Sequence, residues 1–211
     1  MTRRSAAPLL LLHAVRLEGF ADSDVLAERA GLRHGEALRM LHEAQREGRV
    51  QHTAFGGIEG WSLTESGRAE DERLLSAELR AADPEGEVAA VYRDFLPLNA
   101  RLLRAVTDWQ LAPTEEDAFA PNDHADRDRD ARILDELAAL GAALAELEAR
   151  LAGVLARLSG YADRYAAALQ RARSGMHEWV DRTDTDSCHR VWFQLHEDLL
   201  ATLGLSRAAE V

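Results

Sequence analysis

The sequence contains no lysine. All 25 of its formally basic side chains are arginines, against 37 Asp and Glu, which leaves a net charge of -12. An indiscriminate binder of polyanions needs an excess of positive charge, so the chain as a whole falls outside that class. Cysteine is nearly absent, with Cys188 alone, so neither an intrachain disulfide nor a Cys-x-x-Cys zinc cluster can form. The expected compartment is a reducing cytoplasm. Aromatics are sparse at 6%. No apolar run approaches the roughly 20 residues that span a bilayer, so no membrane partner is expected. The four leucines Leu9–Leu12 follow Arg3 and Arg4, but His13, Arg16 and Glu18 cut the run short. It reads as the first turns of a core helix rather than a leader. What the chain does have is 46% hydrophobic residues, which supports a buried core and excludes a wholly disordered chain.

The charge is unevenly placed. Residues 1–63 carry eight arginines and eight acids, whereas residues 64–211 carry seventeen arginines and twenty-nine acids. The first stretch is neutral and tolerates a phosphate partner that the rest would repel.

Apolar spacing predicts a helix over residues 7–19, ended by Gly19. Asp22 or Ser23 caps a second helix with Val25, Leu26 and Ala30 inward and Gly31 as its stop. A third helix runs from about His34 to Glu47, with Leu38, Leu41 and Gln45 on one face. Glu36, Arg39, Met40, Glu43 and Arg46 fall on the other. Two short strands follow around a loop at Ala54–Gly60, and Thr64 caps the next helix. The glycines at 56, 57 and 60 do not make a phosphate loop, because a strand follows them rather than a helix.

Leu26-Ala27, Ala30-Gly31-Leu32, Leu38, Leu41, Gly48, Val50, Trp61-Ser62-Leu63-Thr64 and Gly67-Arg68 stand in an order that resembles the winged helix of MarR- and PadR-like bacterial transcriptional regulators. The resemblance covers about residues 7–80. It implies that the third helix enters the major groove of double-stranded DNA while the hairpin wing touches the flanking backbone. By that resemblance Arg33, His34 and Arg39 are groove candidates, and Arg46 and Arg49 are phosphate candidates. Arg3 and Arg4 form a small basic arm. Two features depart from the family pattern. The wing from His52 to Gly60 has no arginine and contains Glu59, and the outward face of the third helix includes Glu43, four residues from Arg39 and placed to pair with it. A winged helix that binds another protein as an adaptor, without DNA, is the alternative.

In the second stretch, Asp83-Pro84 reads as a helix start, and Pro97 is expected to interrupt the helix before it resumes over 98–110. Leu111–Arg127 reads as a mobile loop. Then Ile133, Leu137, Leu140, Leu144, Leu147, Leu151, Val154 and Leu158 are spaced 4-3-4-3-4-3-4, a heptad seam. A helix over about 129–158 would be roughly 45 Å long. It must bury its seam against a second copy of the chain or within an intrachain bundle, and a homodimer is the expected arrangement. Further helices are expected over 161–174 and 187–203.

His189 and His196 lie on one face but about 10 Å apart along it, too far to share a metal ion. A metal site would have to recruit His124 or loop carboxylates from a distance. Asp186, Ser187, Cys188 and His189 are neighbours on a helix and cannot form a triad among themselves. No catalytic residue, metal or cofactor is therefore expected, which disfavours a helical-bundle enzyme. Tyr92, Trp109, His189, Trp192 and His196, with Asn99, His124 and Trp179, are polar and aromatic residues in apolar surroundings. They are candidates for a small-molecule effector pocket, or else for ordinary core packing. The expectation is a mainly α protein. An N-terminal winged helix-turn-helix with a small β-hairpin wing would occupy residues 1–82, and a C-terminal helical bundle with a long coiled-coil-like helix residues 83–211. The expected function is a dimeric DNA-binding regulator.

Overall fold

The computed structural model describes residues 2–206. It is mainly helical, with one two-stranded antiparallel sheet among the described residues. The chain separates into two compact units. One comprises residues up to 85 together with 154–157 and those from 197 on, and the other comprises 86–153 and 158–196. No helix is long and apolar enough to cross a membrane.

The first unit begins with α1 (Ala7–Glu18), α2 (Ser23–Ala30) and α3 (His34–Arg46). Asp22 caps α2 by accepting the N–H groups of Asp24 and Val25, and Gly31 closes it in the left-handed conformation at φ 64°. The hairpin strands β1 (Val50–Phe55) and β2 (Ile58–Leu63) pair along their whole length. The seven-residue loop expected at Ala54–Gly60 is therefore reduced to Gly56-Gly57. Both glycines have positive φ, 61° and 84°, which suits a two-residue hairpin turn that follows the right-handed twist of the strands.

The helix α4 (Glu65–Ala82) starts hard against the root of this hairpin. Thr64 accepts the N–H of Gly67 at 3.0 Å and donates its hydroxyl to the Gly48 carbonyl at 2.6 Å. A β-carbon on Gly67 would lie 1.8 Å from the Arg49 carbonyl oxygen, so only glycine fits there.

The apolar core of this unit joins Leu11, Leu12 and Val15 of α1 to Leu26 and Ala27 of α2, Ala37, Leu41 and Ala44 of α3, and Val50 and Trp61 of the hairpin. The buried face of α3 thus centres on 37-41-44. Gln45, expected inward, is exposed, and Met40, expected outward, packs on the core. One residue is about 100° on a helix, so a small error in the face centre exchanges such neighbours. Val25 is likewise more exposed than expected, and Ala27 takes its place inside.

A second interior in the same unit is ionic. Arg157 is 3% exposed at its side chain and donates to Glu78 at 2.9 Å, Asp198 at 2.5 Å and Thr202 at 2.7 Å. His13 lies 3.0 Å from Asp198 and 3.4 Å from Asp71, and Arg16 reaches Asp71, Glu72 and Glu197. Burial disfavours a charged His13. The charges and hydrogen bonds of Asp198 and Asp71 outweigh it and raise the imidazole to about 9.

The second unit contains α5 (Glu87–Gln110), α6 (Arg127–Val154) up to Gly153, α7 (Tyr161–Arg173), a short 3-10 turn at His177–Trp179, and α8 (Cys188–Leu203) up to His196. Asp83 does not start α5. Its N–H bonds back to Leu79 and closes α4, and α5 begins after Gly86 at φ 76°. Pro97 does not interrupt α5 either. Val88, Val91 and Phe95 before it and Leu102, Val106 and Trp109 after it are buried in one continuous phase. Packing of that stripe outweighs the single lost N–H and the local clash. The loop after α5 is tied down by backbone bonds from Ala112 to Ala120, Thr114 to Asp117 and Asn122 to Gln110.

On α6 the seam leucines 137, 140, 144 and 151 are fully buried within this single chain, and Ile133 and Leu147 nearly so. The helix stops at Val154, and Leu158 follows in a 3-10 turn, so the seam is one turn shorter than the spacing suggests. Tyr165 of α7 donates its hydroxyl to the Leu137 carbonyl, and its ring occupies the space beside Gly141. Arg150 of α6 pairs with Glu87 and Asp94 of α5. A heptad seam specifies a helical neighbour without saying whose. Here the neighbours are intrachain, so the seam is not left open for a homodimer.

Candidate functional site

The side of α3 opposite the core carries Gly35, Arg39, His42 and Arg46, all exposed. Their spacing of 4, 3 and 4 residues places them in one stripe along the helix. Arg39 makes no ion pair or hydrogen bond to any described residue. The expected pairing with Glu43 does not form. Arg46 donates to the His42 carbonyl at 3.3 Å and meets no carboxylate.

The other expected DNA-contacting residues, groove candidates Arg33 and His34 and phosphate candidate Arg49, have acidic partners. Arg33 is exposed and 3.8 Å from Glu36. His34 lies 2.5 Å from Asp24. Arg49 lies 2.8 Å from Glu47 and 3.8 Å from Glu70. These exposed pairs are weak and exchangeable in solvent. The stripe therefore has two guanidinium groups without an acidic partner at its centre and end, flanked by Arg33, His34 and Arg49, whose exposed pairings can be released.

Sequence reasoning missed His42 and His52. Both imidazoles lie against Trp61, with ring centroids at 5.2 Å and 4.6 Å. Together with Asp22, Ser23, Leu38, Glu59 and Gly60 they line a hollow of about 260 Å³ between α3 and the hairpin. His42 could have been found from its place three residues after Arg39 on the outward wheel. His52 required the strand register. At the hairpin tip Phe55 and Ile58 are 86% and 67% exposed, so the wing presents apolar rather than basic side chains.

The residues expected to share an effector pocket fall into two places in the second unit. Tyr92 and His196 stack around Phe95, and Phe95 stacks on Trp192 at 5.1 Å. Trp192 is buried and donates its indole N–H to Asn99. Trp109 instead contacts His124 and His177. His189 is half-buried, its N–H bonded to the Val180 carbonyl, and burial lowers its pKa against the pull of Asp181. Trp179 lies beneath the guanidinium of Arg171. Cys188 is fully buried, and burial pushes its thiol up to about 12, so it is not a nucleophile at neutral pH.

The second unit has a cleft of about 400 Å³ between α5 and α6 that the sequence did not reveal. It is lined by Arg101, Arg104, Arg129 and Arg132, with Asp108 and Glu136 as its acids. Arg101 grips Glu136 with two bonds. Arg129 donates to the Asp108 and Leu111 carbonyls, and its buried Nε has no partner among the described residues. The heptad reading concealed this pattern, because Arg101, Arg104 and Asp108 repeat at helical spacing on one element and Arg129, Arg132 and Glu136 on another.

No protein-family profile, curated protein or solved structure matches this chain.

Proposed function

We infer that this protein is a DNA-binding transcriptional regulator of winged-helix type, with α3 as the recognition helix and the hairpin as its wing. The observation that carries the reading is the exposed stripe of Arg39, His42 and Arg46 on a short helix whose opposite face buries Ala37, Leu41 and Ala44. A helix supported in this way can enter a major groove without losing its own core contacts. A free arginine at the centre of the stripe suits either a guanine edge or a phosphate. The net neutrality of residues 1–63 and the acid-paired flanking arginines support modest affinity that depends on sequence. The helical second unit offers an arginine-lined cleft that suits an anionic small-molecule effector.

The test is binding to DNA upstream of the protein's own gene at several salt concentrations. Wild type is expected to bind one fragment selectively and to weaken with salt. Arg39→Ala is expected to weaken binding about tenfold or more, as loss of a base or phosphate contact does. Absence of binding to any such fragment at low salt would sink the proposal. The apolar tip formed by Phe55 and Ile58 favours a second reading, in which the same hairpin docks on another protein. Under that reading Phe55→Ser abolishes partner capture and Arg39→Ala leaves it intact.

A further inference from the structure

His124, Asp130 and His177 converge in the second unit, and each offers one ligand atom within 4.8 Å of the others. We propose that they form a binding site for a single divalent transition-metal ion, with zinc as the best chemical match. His124 Nδ1 lies 2.9 Å from Asp130 Oδ2. Two ligands on a tetrahedral zinc with bonds of about 2.1 Å stand about 3.4 Å apart. An ion that replaces the proton between these two atoms therefore meets both once they part by about half an ångström. His177 adds a second imidazole. Its ring meets that of His124 edge-on at a centroid distance of 4.6 Å, and it makes no side-chain hydrogen bond to a described residue.

The surroundings hold the ligands in place. Asp130 is 7% exposed in the first turn of α6. Its other oxygen accepts a hydrogen bond from the side-chain amide of Asn122 at 3.1 Å. The second N–H of that amide goes to the Trp109 carbonyl. Asn122 thus orients the carboxylate as an outer partner of a metal site does. Its side-chain oxygen accepts the N–H of His124, which sits at φ 58°. A left-handed histidine is a strained backbone position that the Asn122 bonds maintain. The buried indole of Trp109 contacts both imidazoles, at 4.6 Å and 5.4 Å, and shields one side. Two imidazole nitrogens and one carboxylate oxygen form a borderline donor set that suits zinc or cobalt, with water completing the coordination.

The experiment uses the untagged full chain, freed of metal by chelation. Zinc is titrated by calorimetry, and cobalt by visible absorption and tryptophan fluorescence. One equivalent of each is expected to bind, with cobalt quenching part of the tryptophan emission. His177→Ala removes an exposed ligand outside the helical core and is expected to weaken zinc binding at least about tenfold, as loss of a metal-site residue does. His124→Ala is expected to do the same, and His189→Ala to leave binding unchanged. Lack of stoichiometric binding by wild type would overturn the proposal, as would a His177→Ala protein that binds zinc as tightly as wild type.

Discussion

The two units are stabilised inside by opposite means. The second is closed by leucines, with α6 burying Leu137, Leu140, Leu144 and Leu151 against its own chain. Beside its small apolar core, the first buries a network in which Arg157, His13 and Arg16 neutralise Asp198, Glu78 and Asp71. A leucine seam is forgiving, since each side chain contributes its own transfer energy. A buried ionic network is not, because removing one member leaves its partners charged and dry.

The strongest way to break this comparison is Arg157→Met. It abandons two buried carboxylates and is expected to cost about 3–5 kcal/mol, read from the chemical denaturation midpoint. Replacing Arg157, Glu78, Asp198 and its partner His13 together by apolar residues of similar volume, with Arg16 left on Asp71, is expected to recover most of that loss. If the single and quadruple variants are equally unstable, packing rather than charge sets the cost. Next comes Leu144→Ala in the second unit, expected to cost about 2–5 kcal/mol through lost burial and a residual cavity. Charge replacement elsewhere should not rescue it.

The third effect separates the units by pH. His13 has a raised folded-state pKa of about 9, against an unfolded value of about 6.5. Its stabilising contribution is fully present below about pH 6.5 and is lost as pH rises towards 9, on the order of 3 kcal/mol at most. His189 in the second unit has a lowered pKa, so its sign is opposite. Protonation of His189 weighs against the folded state as pH falls through the ordinary imidazole range. Imidazole titration by NMR is expected to place His13 well above His189. Coincident midpoints would remove the distinction.

Much local chemistry was legible. Thr64 was readable as a cap, Asp22 as one of two cap candidates, Gly31 as a stop and the heptad leucines as a buried stripe, because each acts within a turn or two of its own position. Asp83 was not, because the same residue type that opens one helix can close the one before it. Choices between neighbours were less so. Gln45 and Met40 exchanged sides, and Pro97 was overruled by the stripe around it. Long-range polar contacts were not legible at all. Nothing near His13 announces Asp198, and His177 lies far along the chain from His124. The partner of the seam was open for the same reason: a heptad records the shape of an interface and not its address.

The hairpin root has a further consequence. With Gly67 pressed on Arg49 and Thr64 bonded to Gly48, the chain cannot gain or lose a residue there without unseating α4. At Gly56-Gly57 a β-carbon would meet nothing within 4 Å. The hairpin is thus a fixed socket with a free end. A short reporter peptide spliced between those two glycines would extend from the fold without disturbing it and would sense whatever approaches the wing.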